Sequence, residues 1–303
     1  MIPDPTVSIV LPTFNRVALL GEAVDSVRAQ TFTGWELIIA DDGSTDDTSA
    51  YLEGLSDPRI RCLLLPHSGS DAVPRNAALR AARGEWVAFL DSDDLWLPSK
   101  LERQLHAMTE HPDCGWSYTG FALIDARGEP LPERPSSVYR PVSGWILESL
   151  LRFEAGPCVQ SMLVRRPLIQ TLGGFDEAIP LRTDYDLTLR LAARSATYAL
   201  PDTLTLVREH DGRATSQRPH AELYALNERV FRKAAADAPS VRIRMLCKRQ
   251  CATQLAARAR ALSREGARAA AFASLARALF DAPVARDVWR AAARCAVDAV
   301  RRR

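Results

Sequence analysis

The chain has 303 residues, 47% hydrophobic and 25% charged, with a formal net charge of +2. This is the profile of an ordinary globular protein with one large domain, or one domain and an appendage. It excludes a disordered chain, a collagen and a disulfide miniprotein. The near-neutral balance conceals an asymmetry. From Val241 to Arg303 there are 15 basic and 4 acidic residues, a surplus of 11 positive charges, whereas the first 240 residues carry a surplus of 9 negative charges. The pattern is a basic tail on an acidic body. Only Lys100, Lys233 and Lys248 are lysines, so a compositional preference for arginine accounts for part of it.

Val7–Leu11 reads as a buried strand, and the spacing of Leu20, Val24 and Val27 as the inner face of a helix. Glu36–Ala40 is the second strand, followed by Asp41-Asp42-Gly43-Ser44. Ser44 or Thr45 is placed to cap a helix carrying Tyr51, Leu52 and Leu55. Ile60–Leu65 is a third strand, Ala72–Arg83 a helix and Trp86–Leu90 a fourth strand. This β-α alternation predicts a parallel sheet covered by helices on both faces. Beyond it come a helix over Pro98–His111, a strand over Gly115–Ile124 and a Pro-rich loop over Arg127–Pro141. Gly144–Phe153 reads as helical, Cys158–Val164 as extended, Asp184–Arg194 as helical and Thr197–Arg208 as extended. From His220 onward the chain reads as Ala/Arg-rich helix interrupted by Pro239 and Pro283, which divides it into a body of residues 1–219 and an extension of residues 220–303. The six cysteines lack zinc-ligand spacing, and Cys247 and Cys251, four apart, read as a helical packing pair. Without a basic leader segment or a run of roughly 18 apolar residues, the expected location is the reducing cytoplasm.

In an open parallel sheet, ligands bind outside the carboxyl ends of the strands. The polar clusters fall at those ends. Thr13, Asn15 and Arg16 follow the first strand, Asp41 and Asp42 the second, and Asp91-Ser92-Asp93-Asp94 the fourth. Acidic clusters on adjacent strand ends repel, and a hard divalent cation relieves the conflict: carboxylate oxygens suit Mg2+ or Mn2+, which take their remaining ligands from water and a substrate diphosphate. Each cluster alone is also an ordinary solvated turn. A phospho-accepting aspartate is a competing use of strand-end carboxylates, but the length and the Asp91–Asp94 cluster do not fit a receiver domain of roughly 120 residues.

Taken together, Ser8-Ile-Val-Leu-Pro-Thr-Phe-Asn-Arg16, Asp41-Asp-Gly-Ser-Thr-Asp46, Arg75-Asn-Ala-Ala78, Gly84-Glu-Trp-Val-Ala-Phe-Leu-Asp-Ser-Asp-Asp94 and Gly173-Gly-Phe-Asp176 with Thr183-Asp-Tyr-Asp-Leu187 resemble the family 2 glycosyltransferases. The likeness runs from about Thr6 to Ser216. It implies an α/β fold of the GT-A, Rossmann-like type: a mixed, mainly parallel sheet flanked by helices, here with a C-terminal helical extension. It also implies an inverting, metal-dependent hexosyltransferase that moves a sugar from a nucleotide-diphosphate sugar, a UDP-sugar in preference, to a sugar or lipid-linked glycan acceptor in cell-surface polysaccharide or glycoconjugate synthesis. Residue by residue, the resemblance gives Asp42 the reading of the nucleotide base, with Pro12, Thr13, Asn15 and Arg16 lining that pocket. It places Asp91 and Ser92 near the ribose and Arg75 at the base or diphosphate. Asp93 becomes the ligand of Mn2+ or Mg2+, His210 a further metal or diphosphate contact, and Asp184 the catalytic base. Trp96, Gly174 and Asp176 fall on the acceptor side. Many family members carry Glu-Asp where this chain has Thr183-Asp184.

Each assignment has a plainer counterpart. Asp186 reads as a salt-bridging carboxylate in the first turn of a helix, Trp96 as a packing aromatic, His210 as a loop histidine and Gly173-Gly174 as a turn. At the level of function, two alternatives compete: a sugar-phosphate nucleotidyltransferase, and a membrane-surface binding module without catalysis. The first lacks the glycine-rich loop expected after the first strand. The second would use the basic C-terminal helices for peripheral contact at the inner face of a membrane, with Ala271, Leu275 and Leu279 at helical spacing beside Arg264, Arg268 and Arg277. The plainer and preferred reading of the same helices is a cap packed on the catalytic domain with solvated arginines. No motif points to nucleic acid.

Overall fold

The computed structural model describes residues 4–132, 140–210, 212, 218–283 and 289–290. Residues 133–139 of the Pro-rich segment 127–141 and most of the helix expected beyond Pro283 lie outside them. The chain divides into two compact units, Met1–His210 and Asp211–Arg303.

The first unit is built on an eight-stranded mixed sheet in the order β3-β2-β1-β4-β7-β6-β8-β5. Strands β1 (Val7–Thr13), β2 (Trp35–Asp41), β3 (Ile60–Leu64) and β4 (Trp86–Phe89) form its parallel half. Apart from the half-buried Pro12, every residue of β1, β2 and β4 is buried, as continuous apolar runs covered on both faces require. The predicted helix face is present in α1 (Val17–Arg28), which buries Leu20, Ala23, Val24 and Val27. These side chains join Ile9, Leu37 and Leu52 in one core, each fully buried aliphatic contributing roughly 1.5–3 kcal/mol.

Helices α2 (Thr48–Glu53) and α3 (Ala72–Ala81) complete the parallel crossovers. Neither Ser44 nor Thr45 caps α2. Ser44 instead donates to Asp41 and accepts from the Asn15 N–H, so the loop after β2 is tied to the loop after β1 and the helix starts three residues later. After β4, the turn Asp91–Asp94 is closed by Asp94 N–H donating to Asp91 O at 3.1 Å and leads into β5 (Leu95–Trp96), a two-residue strand too short to register as periodicity. Helix α4 (Lys100–Glu110) follows. The antiparallel half contains β6 (Trp116–Ile124), β7 (Met162–Arg165) and β8 (Thr197–Arg208).

The segment read as helix over 144–153 is helical only in α5 (Leu147–Leu151), because Gly144 pairs through its backbone with Thr197 at the sheet. The stretch read as extended over 158–164 begins with a 3-10 turn at Val159–Ser161. Helix α6 (Arg166–Thr171), six residues with Pro167 in its first turn, was not anticipated. Helix α7 (Thr183–Arg194) carries Asp184 in its first turn.

The second unit consists of α8 (His220–Ala236), α9 (Val241–Arg264) and α10 (Arg268–Asp281). Gly266, at φ 83°, makes the α9–α10 break that no proline marked. Cys247 and Cys251 are buried free thiols on α9, the packing pair their spacing suggests. The apolar face of α10 is not available to a lipid surface: Ala271, Leu275 and Ala278 are buried against Ala252, Leu255, Ala256 and Ala259 of α9, with Leu279 packed beside them.

Candidate active site

The strand-end clusters converge at the C-terminal edge of the parallel half. In the turn after β4, Asp91, Asp93 and Asp94 each present an oxygen within 4.8 Å of the others, with Ser92 buried between them. Three anions so close require cations. Arg16, at the N-terminus of α1, pairs with Asp93, and His210 Nε2 lies 2.9 Å from the same Asp93 oxygen and 3.0 Å from Arg16 Nη1. Burial works against the Asp93 charge, but Arg16 and His210 outweigh it and hold the carboxyl below the usual range. Asp94 is buried and accepts from the Arg208 N–H at 2.8 Å. Arg208 is itself buried and donates to Asp93 O and to Glu22, which fixes the end of β8 and the neighbouring His210.

Asp91 is held by Arg75 Nη2 at 2.7 Å and by the side-chain amide of Gln160. Arg75 is buried on α3 and also donates to Asp71. Asp71 in turn accepts from Thr183 Oγ1 at 3.1 Å, at the start of α7. The chain of contacts therefore runs from Asp91 through Arg75 and Asp71 to the residue preceding Asp184. Asp184 is partly exposed, and burial of its surroundings pushes its carboxyl above the ordinary value, against the pull of Arg75 and with the added push of Asp71. Arg182, the N-cap of α7, has φ 71°, a left-handed conformation that stores roughly 1–3 kcal/mol of strain beside the site.

At the end of β2, Asp42 accepts from Ser68 Oγ at 2.6 Å, from Ser68 N–H at 3.0 Å and from Gly69 N–H at 3.2 Å, and His67 Nδ1 lies 2.9 Å from it. The Phe14 ring stacks on His67 with centroids 4.2 Å apart, leaving an exposed aromatic face beside Asp42. Thr13 is buried there with its hydroxyl unpartnered. Its carbonyl accepts from the Asp42 N–H, and Pro12 pairs in register with Ala40. Asn15, in the left-handed region at φ 50°, accepts from Thr45 N–H at 2.7 Å, so its side chain ties the loop together.

The three residues assigned to the acceptor side each make structural contacts. Trp96 is a core residue, its indole N–H donating to Gln160 O at 2.9 Å and its ring covered by Lys100 Nζ at 4.1 Å, so no face is offered for stacking. Gly174 is buried against Asn76, whose amide bridges Phe175 N–H and Phe175 O. Asp176 accepts from Ala178 N–H within its own turn. Asp186 is the salt-bridging residue, bound to Arg190 at 2.7 Å. Reading the sequence missed Phe14, His67, Asp71 and Gln160. Phe14 stood inside a recognised motif, but the others are brought in by loops whose paths no periodicity encodes.

Known proteins match the chain in sequence and in fold. Residues 8–141 match the model of Glycosyl transferase family 2. The uncharacterized glycosyltransferase RT0329 of Rickettsia typhi is 30% identical over 220 residues, 70% of this chain and 67% of that protein. The chain belongs to glycosyltransferase family 2. It is also 37% identical over 122 residues to WfgD of Escherichia coli, a UDP-Glc:alpha-D-GlcNAc-diphosphoundecaprenol beta-1,3-glucosyltransferase; the match spans 40% of this chain and about half the length of that relative, 48%. Among solved structures, S. aureus TarS 1-349 with UDP-GlcNAc superposes with a TM-score of 0.67 at 19% identity, covering 91% of this chain and 88% of that one. The mannosyltransferase PcManGT of Pyrobaculum calidifontis, with GDP-Man and Mn2+, gives 0.61 at 20% identity over 98% and 80%. These likenesses establish the GT-A glycosyltransferase fold expected from the sequence. The family expected from the sequence is therefore the family found, and the chain spans about half the length of curated relatives such as WfgD. No helix among the described residues is long and apolar enough to cross a membrane.

Proposed function

We propose that this glycosyltransferase transfers a sugar, with inversion, from a UDP-sugar to a hydroxyl of a lipid-linked glycan at the cytoplasmic face of a membrane, with a divalent metal. The observation that carries the reading is the convergence of Asp91, Asp93 and Asp94 within 4.8 Å, connected through Arg75 to the first turn of α7, where Asp184 stands. The donor set is hard oxygen, with an imidazole from His210 at its edge, and fits Mn2+ or Mg2+ held by Asp93 and its neighbours. When bound, such a metal neutralises charge developing on the leaving diphosphate.

The chain's own residues supply the rest. Asp42, the face of Phe14 and the pocket wall of Pro12 and Thr13 form the base-binding end. Asp91, clamped by Arg75 and Gln160, faces the ribose. Arg16, released from Asp93, supplies positive charge for the diphosphate, with His210 beside it. Asp184 takes the acceptor hydroxyl's proton at a carboxylate oxygen; burial raises its basicity toward the working pH. A single displacement with one base inverts the anomeric centre. A UDP-sugar and a lipid-linked acceptor are favoured because TarS is solved with UDP-GlcNAc and WfgD acts on a diphosphoundecaprenol-linked sugar.

The membrane side of the proposal rests on α9 rather than α10. Val241 and Met245 are exposed among Arg242, Arg244, Lys248 and Arg249, a basic face with apolar residues that suits an anionic leaflet. The direct test of function is a thermal-shift panel of sugar nucleotides with and without Mn2+, followed by transfer from the best donor to a diphosphoprenol-linked sugar. A specific nucleotide that stabilises only with metal is expected. Absence of stabilisation by every nucleotide would overturn the proposal.

A further inference from the structure

Asp71 has no part in the scheme above, yet its surroundings are specific. It holds the N-cap position of α3, where an aspartate commonly accepts a backbone N–H of the first turn. Asp71 makes no such bond. Its Oδ2 is spent instead on Arg75 and on Thr183 Oγ1 at 3.1 Å, 112 residues away, and Arg75 Nη1 lies 3.5 Å from the same hydroxyl. Its Oδ1 is shielded from solvent with no hydrogen-bond partner. Thr183 is fully buried and is the first residue of α7, directly before Asp184. Arg75 is thereby held between two carboxylates, Asp71 on one side and Asp91 on the other.

We infer that Asp71 is a positioning residue for sugar transfer: it anchors the first turn of α7 through Thr183 and keeps the Arg75 guanidinium on Asp91 and off Asp184. The inference rests on the reading of Asp184 as base. Its physical basis is competition. Asp184 already feels the charge of Arg75, and without Asp71 the Arg75 guanidinium loses the carboxylate that holds Nη1 on the side away from Asp91, leaving it free to turn toward the base. An Arg75–Asp184 ion pair would stabilise the carboxylate and blunt its basicity. Loss of the Thr183 anchor would also let the first turn of α7 shift, and displacements of about 1 Å at a reacting group cost about 100-fold in rate.

The test uses the full chain and three measurements on Asp71→Asn: steady-state transfer, donor affinity by calorimetry, and melting temperature. The expected result is a fall in kcat of about 100-fold with donor Kd unchanged within about threefold and an unchanged melting temperature. Wild-type kcat in Asp71→Asn, or a loss of activity that tracks a loss of melting temperature, would overturn the inference. A second arm re-supplies the carboxylate from α7. Position 183 is within hydrogen-bond reach of both Asp71 and Arg75, so Thr183→Glu, or Thr183→Asp if the longer side chain does not fold, combined with Asp71→Asn should recover at least about tenfold of the lost kcat. A folded double variant with no recovery would also overturn it. Failure of the wild-type chain to transfer sugar from any donor is a different result and refutes the proposed function.

Discussion

Substituting Gly174 with alanine separates packing from acceptor binding at the Gly173–Asp176 loop. Gly174 sits at φ 71°, and a Cβ there would lie 2.5 Å from Asn76 Oδ1 and 3.4 Å from Leu79 Cδ1. The left-handed backbone costs an alanine roughly 1–2 kcal/mol. Asn76 must also move, although its amide is committed to Phe175 N–H at 2.9 Å, Phe175 O at 2.9 Å and Glu177 at 2.8 Å. One or two of these bonds lost, at about 0.5–1.5 kcal/mol each, bring the total to about 3 kcal/mol. For a unit of this size that corresponds to a fall in melting temperature of roughly 6–12 °C. The assay is thermal unfolding followed by circular dichroism, alongside the acceptor KM at a temperature where the variant is folded. A melting temperature within about 2 °C of wild type, with a raised acceptor KM, would refute the packing argument and favour Gly174 as part of an acceptor floor.

Asp184→Asn should keep donor binding while transfer falls about 10²–10⁴-fold, the usual contribution of a general base. Because the deprotonated carboxylate is the active form and burial raises its titration, wild-type kcat should fall on acidification with a midpoint above that of a free carboxyl. Near wild-type turnover in Asp184→Asn would sink the assignment. Saturating Mn2+ should stabilise the wild type, by about 2.7 kcal/mol at 100 times its Kd, and Asp93→Asn should abolish that shift; a shift that persists moves the metal away from Asp93. Reversing Arg242, Arg244, Lys248 and Arg249 to glutamate should eliminate salt-sensitive co-sedimentation with phosphatidylglycerol vesicles. Equal sedimentation of the variant would remove α9 as the contact.

Much of this protein was legible in its residue order. The buried runs Val7–Leu11 and Glu36–Ala40 could only be interior strands, because a sheet covered on both faces admits no polar alternation. Polar clusters at the ends of β1, β2 and β4 then had to meet, since parallel strands in one sheet deliver their carboxyl ends to one edge. Asp91 and Asp93 were placed at that edge in this way, whereas Arg75, on α3, was singled out by the family resemblance alone. What the order of residues could not convey is which partner each side chain takes when several are near. Arg16 stands in the base-side motif, yet it lies on Asp93, and Ser44 ties two loops where a helix cap was expected. Trp96, two residues from the acidic turn, points into the core, and the apolar stripe of α10 is buried on α9. Asp71 stands at the N-cap of α3 and Gln160 in the 3-10 turn before β7, within a stretch read as extended, and neither is marked by periodicity as facing the strand ends. Periodicity and spacing are local and survive in the sequence, whereas the pairing of polar and charged groups within a few ångströms depends on contacts between residues 69 to 112 positions apart. Folding alone decides those contacts, by weighing each burial cost against the partner it finds.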